Sequence, residues 1–302
     1  MKKIVAIKDI IVDEMKRIED IQENGRRVTG VPTGFKKIDD ITSGLQRSNL
    51  IVIAARPSMH KTEFALTIAR NAALEQVPVA IISLAINKEH MVRRLLCMEA
   101  KIRSEQINQG LLSASDQLSL AQAAGKLSDL PIFTCDIAGR TVAGIRKQIE
   151  IIKYQHGAQL VIIDYLQLIQ SDGLSITREH EIDDICRSLK ELSIEFDLPV
   201  IVLSQVSRRP EFRKNHRPRL GDLAEGDVAS YADLVLFIYR DYFYHRSEDN
   251  PDFNTADIII EKSKNGPTGS VKLFFDETFQ TFEDLAGNHL PDPSLRLVTT
   301  NP

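Results

Sequence analysis

The sequence predicts an α/β fold: a mostly parallel sheet with helices on both faces, finished at one edge by antiparallel strands. Three observations carry this. From Asn49 onward, short apolar runs alternate with amphipathic segments of helical period. The first runs are apolar at nearly every position, as strands covered on both faces must be. After Asp257 the alternation stops, and three strand-like runs follow one another across turn residues.

Taken in order, residues 1 to about 27 form a separate amphipathic helix. Ile7, Ile11, Met15 and Ile18, then Ile21 or Gln22, recur at helical spacing, and Gly25 ends the pattern. Such a helix is marginal alone, so its stripe must bury against its own domain or a neighbouring subunit. Residues 28–285 are the main domain. Its strands are expected at Leu50–Ala54, Val79–Leu84, Ile132–Thr134, Leu160–Asp164, Val200–Ser204 and Leu234–Tyr239. Helices are expected at Thr62–Glu75, Lys88–Ala100, Ala114–Leu127, Thr141–Tyr154 and Glu179–Phe196. Asp257–Lys262, Val271–Phe275 and Phe279–Phe282 make the antiparallel edge, joined by Gly266–Gly269 and by Asp276-Glu277. Residues 286–302 contain three prolines and little apolar pattern, and read as a loose tail.

Composition sets limits. Hydrophobic residues are 43% and charged residues 26%, which excludes a disordered or fibrous chain. No apolar run reaches the ~18 residues that cross a bilayer. Asp9, Asp13 and Glu14 follow the N-terminus too closely for a signal peptide, so a cytoplasmic protein without membrane partners is expected. The net charge of -4 excludes a wholly basic nucleic-acid coat but allows a local basic patch. Cys97, Cys135 and Cys186 lie far apart and read as free thiols.

Ala55, Arg56, Pro57, Ser58, Met59, His60, Lys61 and Thr62 lie between an apolar strand and a helix, where a phosphate-cradling loop belongs. In such loops backbone N–H groups and the helix N-terminus bind phosphate, the lysine reaches the outer phosphates, and the hydroxyl binds Mg²⁺. Lys61 and Thr62 match. Ala55 and His60 stand at the two glycine positions, where a Cβ adds bulk and, at positive φ, strain. A plain strand–helix turn with a capping threonine is the other reading. Asp164 ends the apolar run Leu160–Asp164, as a carboxylate that orients Mg²⁺ beside such a loop does.

Five stretches together resemble one family. They are Ala55–Thr62, the run Ile-Asp-Tyr-Leu-Gln-Leu-Ile at 163–169, Ile260–Gly269, Gly30–Phe35 and Leu203–Arg208. This is similar to the C-terminal ATPase domain of the DnaB-type hexameric replicative DNA helicases, a RecA-like P-loop NTPase fold, from about Val12 to Leu285. The resemblance implies ATP and Mg²⁺ as cofactors, a homo-hexameric ring with nucleotide between subunits, and single-stranded DNA in the channel. It implies a linker helix that docks on the adjacent subunit. The family's helical N-terminal domain, which meets primase, has no counterpart in these residues, so contact with primase is not implied.

Position by position, Lys61 corresponds to the phosphate lysine and Thr62 and Asp164 to the metal site. Gln205 corresponds to the polar residue that senses the terminal phosphate. Lys262 corresponds to the lysine offered to a neighbour's nucleotide, and Arg240 lies where the family has Tyr-Arg-Asp near the nucleotide. Other positions depart. Ala85 stands where the family has the glutamate that activates water, and loss of a general base costs about 10²–10⁴-fold. Lys264 stands for the arginine finger, keeping its charge but not its planar fork. The DNA-contacting loop is reduced to Leu223-Ala224-Glu225-Gly226, one residue short and without its arginine. Two readings therefore stand: a helicase domain, or a relative that binds nucleotide or DNA poorly and hydrolyses nothing.

Arg208, Arg209, Arg213, Lys214, Arg217 and Arg219 crowd one loop of an otherwise acidic chain. A solvated charged loop is one reading. Sequence-independent contact with a DNA phosphate backbone, with Glu225 and Gly226 nearby, is the other. The aromatic run at Tyr239, Tyr242, Phe243 and Tyr244 reads as packing.

Overall fold

The computed structural model describes residues 6–24, 28–136, 140–173, 176–247 and 250–285. The expected tail at 286–302 and the stop at Gly25 lie outside the described residues. The chain runs α1 (Ile7–Asn24), α2 (Lys36–Thr42), β1 (Leu50–Ala55), α3 (Lys61–Leu74), β2 (Val79–Ser83), α4 (Lys88–Ala100), α5 (Ser104–Gln109) and α6 (Ala114–Ser128). It continues β3 (Ile132–Asp136), α7 (Val142–His156), β4 (Leu160–Asp164), α8 (Arg178–Glu195), β5 (Val200–Gln205) and β6 (Leu234–Tyr239). The hairpin edge is β7 (Thr255–Ser263), β8 (Gly269–Asp276) and β9 (Thr281–Asp284).

The strands form a single nine-stranded sheet in the order β3-β2-β4-β5-β1-β6-β7-β8-β9. The pairings from β3 to β6 are parallel, and those from β6 to β9 antiparallel. Two apolar cores sit on opposite faces: Ile51, Ile53, Ile81 and Ile162 pack to one side, Leu50, Val52, Ile82 and Ile163 to the other. This is the two-sided burial that the uninterrupted apolar runs anticipate.

Local chemistry sets the helix starts. Asn87, Ser113, Thr141 and Thr177 accept from the backbone N–H groups of His90, Asp116, Gly144 and His180, which satisfies first-turn donors. The last two helices therefore begin at Val142 and Arg178, with each threonine acting as cap. The final strand lies at Thr281–Asp284, two residues later than expected. Asp276 Oδ1 accepts from the N–H groups of Thr278 and Phe279 at 2.8 and 3.1 Å, and this holds 277–280 in a turn. The strand then pairs Phe282 with Phe275.

On α1, Ile7, Ile10, Ile11, Val12, Met15 and Ile18 are 41–75% exposed. The apolar stripe is therefore not buried on the helix's own domain. No helix among the described residues is long and apolar enough to cross a membrane.

Candidate nucleotide and nucleic-acid site

In open α/β sheets, ligands bind beyond the carboxyl ends of the parallel strands. Here β4, β5 and β1 are neighbours, and their carboxyl ends are Asp164, Gln205 and Ala55. Gln205 pairs directly with Ala55. The loop Arg56–His60 leaves β1 at this end and feeds α3. Met59 is buried and anchors the loop in the core. Ser58 and His60 both hold left-handed backbone, at φ 64° and 61°. Arg56 is tied sideways, donating to Val206 O at 2.9 Å and through Nε to Glu211 Oε1 at 2.9 Å.

Thr62 Oγ1 donates to Asp164 Oδ2 at 2.8 Å, which joins the loop to the end of β4. Asp164 is 5% exposed, and burial raises its pKa, against the opposing pull of the Thr62 bond and of Lys61. Lys61 lies over the Tyr165 ring at 5.3 Å, and burial lowers its pKa while Asp164 and Glu63 oppose the shift. A hydroxyl and a carboxylate are hard oxygen donors that suit Mg²⁺, with a lysine and a helix N-terminus beside them for phosphate. The residues thus fit a Mg²⁺–nucleotide. Ala85 is exposed just past β2, where Ser83 pairs with Asp164, and it brings no carboxylate to that position.

Gln205 is held from two sides. Its N–H donates to Gln167 Oε1 at 3.2 Å, and its carbonyl accepts from Ala224 N at 3.1 Å. Gln167 Nε2 donates to Ser204 Oγ at 3.1 Å. Arg178 donates to Gln167 O at 2.8 Å and to Glu225 Oε2 at 3.1 Å. The Leu223–Gly226 loop is thereby hydrogen-bonded to the end of β5. Gly226 has φ +64°, and a Cβ there would sit 2.7 Å from Asp183 Oδ1. Neither Gln167, inside the 163–169 run, nor Arg178 carries a local sequence signal for these distant partners.

Arg240 follows β6 at the same end of the sheet. It is 2% exposed, its guanidinium lies 4.1 Å from the Phe275 ring centre, and Nη2 reaches Glu277 Oε2 at 3.1 Å. Burial lowers its pKa against the pull of Glu277. Arg240 Nε has no hydrogen-bond partner among the described residues. Lys262 and Lys264 are elsewhere. Lys262 pairs with Val235 at the start of β6, the opposite end of the sheet from Lys61. Its Nζ donates to Ala229 O at 2.7 Å, while Lys264, mostly exposed, lies 3.4 Å from Asp233 Oδ1. The structure therefore separates these two lysines from their own chain's phosphate loop.

The basic segment divides in two. Arg213 makes a bidentate pair with the fully buried Asp222 through contacts of 2.5 and 2.6 Å. Arg217 pairs with Asp257 at 2.6 Å, and Arg209 donates to Gly221 O at 2.9 Å. Arg208 and Lys214 are exposed. Cys97, Cys135 and Cys186 form no disulfide among the described residues, in line with their wide spacing.

The strand order, the loop at the end of β1 and the carboxylate at the end of β4 define a RecA-like ATPase domain. Residues 30–284 match the model of the DnaB-like helicase C-terminal domain. The replicative DNA helicase DnaB of Geobacillus stearothermophilus is 42% identical over 282 residues, which covers 92% of this chain and 62% of that protein. One solved ATPase domain superposes with a TM-score of 0.88 at 35% identity, covering 94% of this chain and all of that one. A DnaB-like replicative helicase, solved in a study of its interactions with primase, gives 0.84 at 34% identity, covering 94% and 68%. The chain belongs to the DnaB-like helicase C-terminal domain family. It spans about three-fifths of the length of the curated relatives it matches.

Proposed function

We propose that the chain is an ATP-dependent motor domain that moves along single-stranded DNA as a homo-hexameric ring during replication. The observation that carries this is the Thr62–Asp164 pair beside Lys61 at the carboxyl ends of β1 and β4. Lys61 and the loop N–H groups would hold the phosphates, and Thr62 and Asp164 would hold Mg²⁺. When bound, the cation offsets phosphate charge. Gln205 stands at the end of β5 to meet the terminal phosphate, and its bonds to Gln167 and Ala224 link that position to the Leu223–Gly226 loop. Arg208 and Lys214 supply exposed charge for a DNA backbone.

Family membership supports the ring, and so does the exposure of Ile7, Ile10, Ile11, Val12, Met15 and Ile18 on α1. Lys262 and Lys264, at the far end of the sheet from Lys61, would serve a neighbour's nucleotide, and their distance from their own phosphate loop supports that reading. The test is calorimetry of ATP binding with and without Mg²⁺. Wild type is expected to bind in a Mg²⁺-dependent way, and Asp164→Asn to lose the Mg²⁺ dependence. Equal binding by both proteins would overturn the reading.

A further inference from the structure

His60 is the last loop residue before Lys61, and its φ of 61° is one that glycine adopts without strain. A side chain here threatens the cradle, because rotation about χ1 offers the imidazole three staggered positions. The structure shows where the ring goes. It is only 18% exposed, with its centroid 4.8 Å from that of Phe275 and the planes inclined at 36°. His60 Nδ1 lies 3.6 Å from Glu63 Oε2, and Glu63 Oε1 accepts from Arg94 Nη1 at 2.5 Å. Burial alone would raise the Glu63 pKa, but His60 and Arg94 outweigh it and hold the carboxylate below its ordinary value. As a charge, a buried carboxylate one residue after Thr62 works against phosphate binding. Its placement between His60 and Arg94 gives it a different use.

We propose that Glu63, held by Arg94, is a positioning residue that pins the His60 imidazole against Phe275 and so keeps the phosphate cradle open. The proposal rests on the nucleotide-binding reading above. It accounts for a histidine at a glycine position without loss of the site.

The test compares ATP–Mg²⁺ affinity by calorimetry in the full chain and in E63A, E63Q, H60G and the H60G/E63A double variant, with melting curves to confirm folding. E63A is expected to weaken binding several-fold, since the 3.6 Å contact it removes is polar but longer than a hydrogen bond. E63Q keeps a polar oxygen facing the imidazole without the negative charge and is expected to bind as well as wild type or better. H60G/E63A is expected to bind no more weakly than H60G alone. Tighter binding by both E63A and E63Q would mean that Glu63 acts only as a repelling charge, and would overturn the proposal. An E63A loss of equal size in the H60G background would also overturn it. Crystals of nucleotide-free E63A give a reading independent of binding. The imidazole is expected to leave the Phe275 face, and a ring still packed there refutes the pinning role. If wild type binds no nucleotide, the functional reading fails, while these crystals still decide the role of Glu63.

Discussion

Phe275 joins the two unusual residues at the nucleotide end of the sheet. It is fully buried on β8, with the Arg240 guanidinium 4.1 Å from its ring centre, His60 at 4.8 Å and Phe282 at 4.7 Å. Replacing a core phenylalanine by alanine costs about 3–5 kcal/mol. A desolvated cation–π contact contributes about 2 kcal/mol, and Arg240 is buried with Nε unpartnered among the described residues. The two terms overlap, so about 4–5 kcal/mol is expected for Phe275→Ala. Phe275→Leu keeps much of the volume but loses the ring face under Arg240, so it should cost about 2–3 kcal/mol. At about 2–4 °C per kcal/mol, the alanine variant should melt roughly 8–20 °C below wild type. Melting and urea unfolding of all three proteins, at one fixed chain concentration, test this. An alanine variant as stable as the leucine variant would refute the packing argument.

Three other outcomes are expected. Glu99 ties α4 to α3 and α6 through Arg70 and Lys126. Burial would raise its pKa, but the two cations reverse this and lower it below 4.5, so its stabilisation is present above that value and lost as pH falls through the folded pKa. The stability gap between wild type and Glu99→Gln should therefore close on acidification, and a gap that widens would contradict this. The double variant Arg208→Ala/Lys214→Ala should lower the salt slope of single-stranded DNA binding by about 1–1.5, at ~0.7 per phosphate contact. Arg213→Ala should leave that slope unchanged, because Arg213 is paired with Asp222. Deleting residues 1–27 should lower the oligomer mass measured by light scattering, and an unchanged mass would remove α1 from the assembly.

The sheet was legible because the chemistry of its strands is local. Leu160–Ile163, closed by Asp164, and Leu234–Tyr239 are short unbroken apolar runs flanked by polar residues, and both strands lie where expected. The α2 and α5 helices leave no such mark in the sequence. At seven and six residues they are too short for a period to show, and Phe35 offers no side-chain cap to the first. The phosphate lysine, its hydroxyl neighbour and Asp164 were readable because fixed spacing and strand ends mark them. Glu63 looked like an ordinary acidic residue in a first helical turn. Its role needs Arg94, 31 residues away, and Phe275 on a distant strand, and no one-dimensional pattern joins those three. Arg213 sits in sequence among the candidate DNA-facing charges, and its fully buried partner Asp222 is visible only in three dimensions.

The proposed DNA-coupled motor must turn over ATP with Ala85 standing where the family's glutamate is expected. The most direct measurement is ATP hydrolysis by the purified chain, with and without single-stranded DNA, at a concentration high enough for rings to form. Slow turnover is expected, stimulated by single-stranded DNA and raised about 10²–10⁴-fold by Ala85→Glu. No turnover under either condition, together with its appearance only in an Ala85→Glu/His60→Gly double variant, would contradict the account. It would mark the chain as a helicase fold kept for binding.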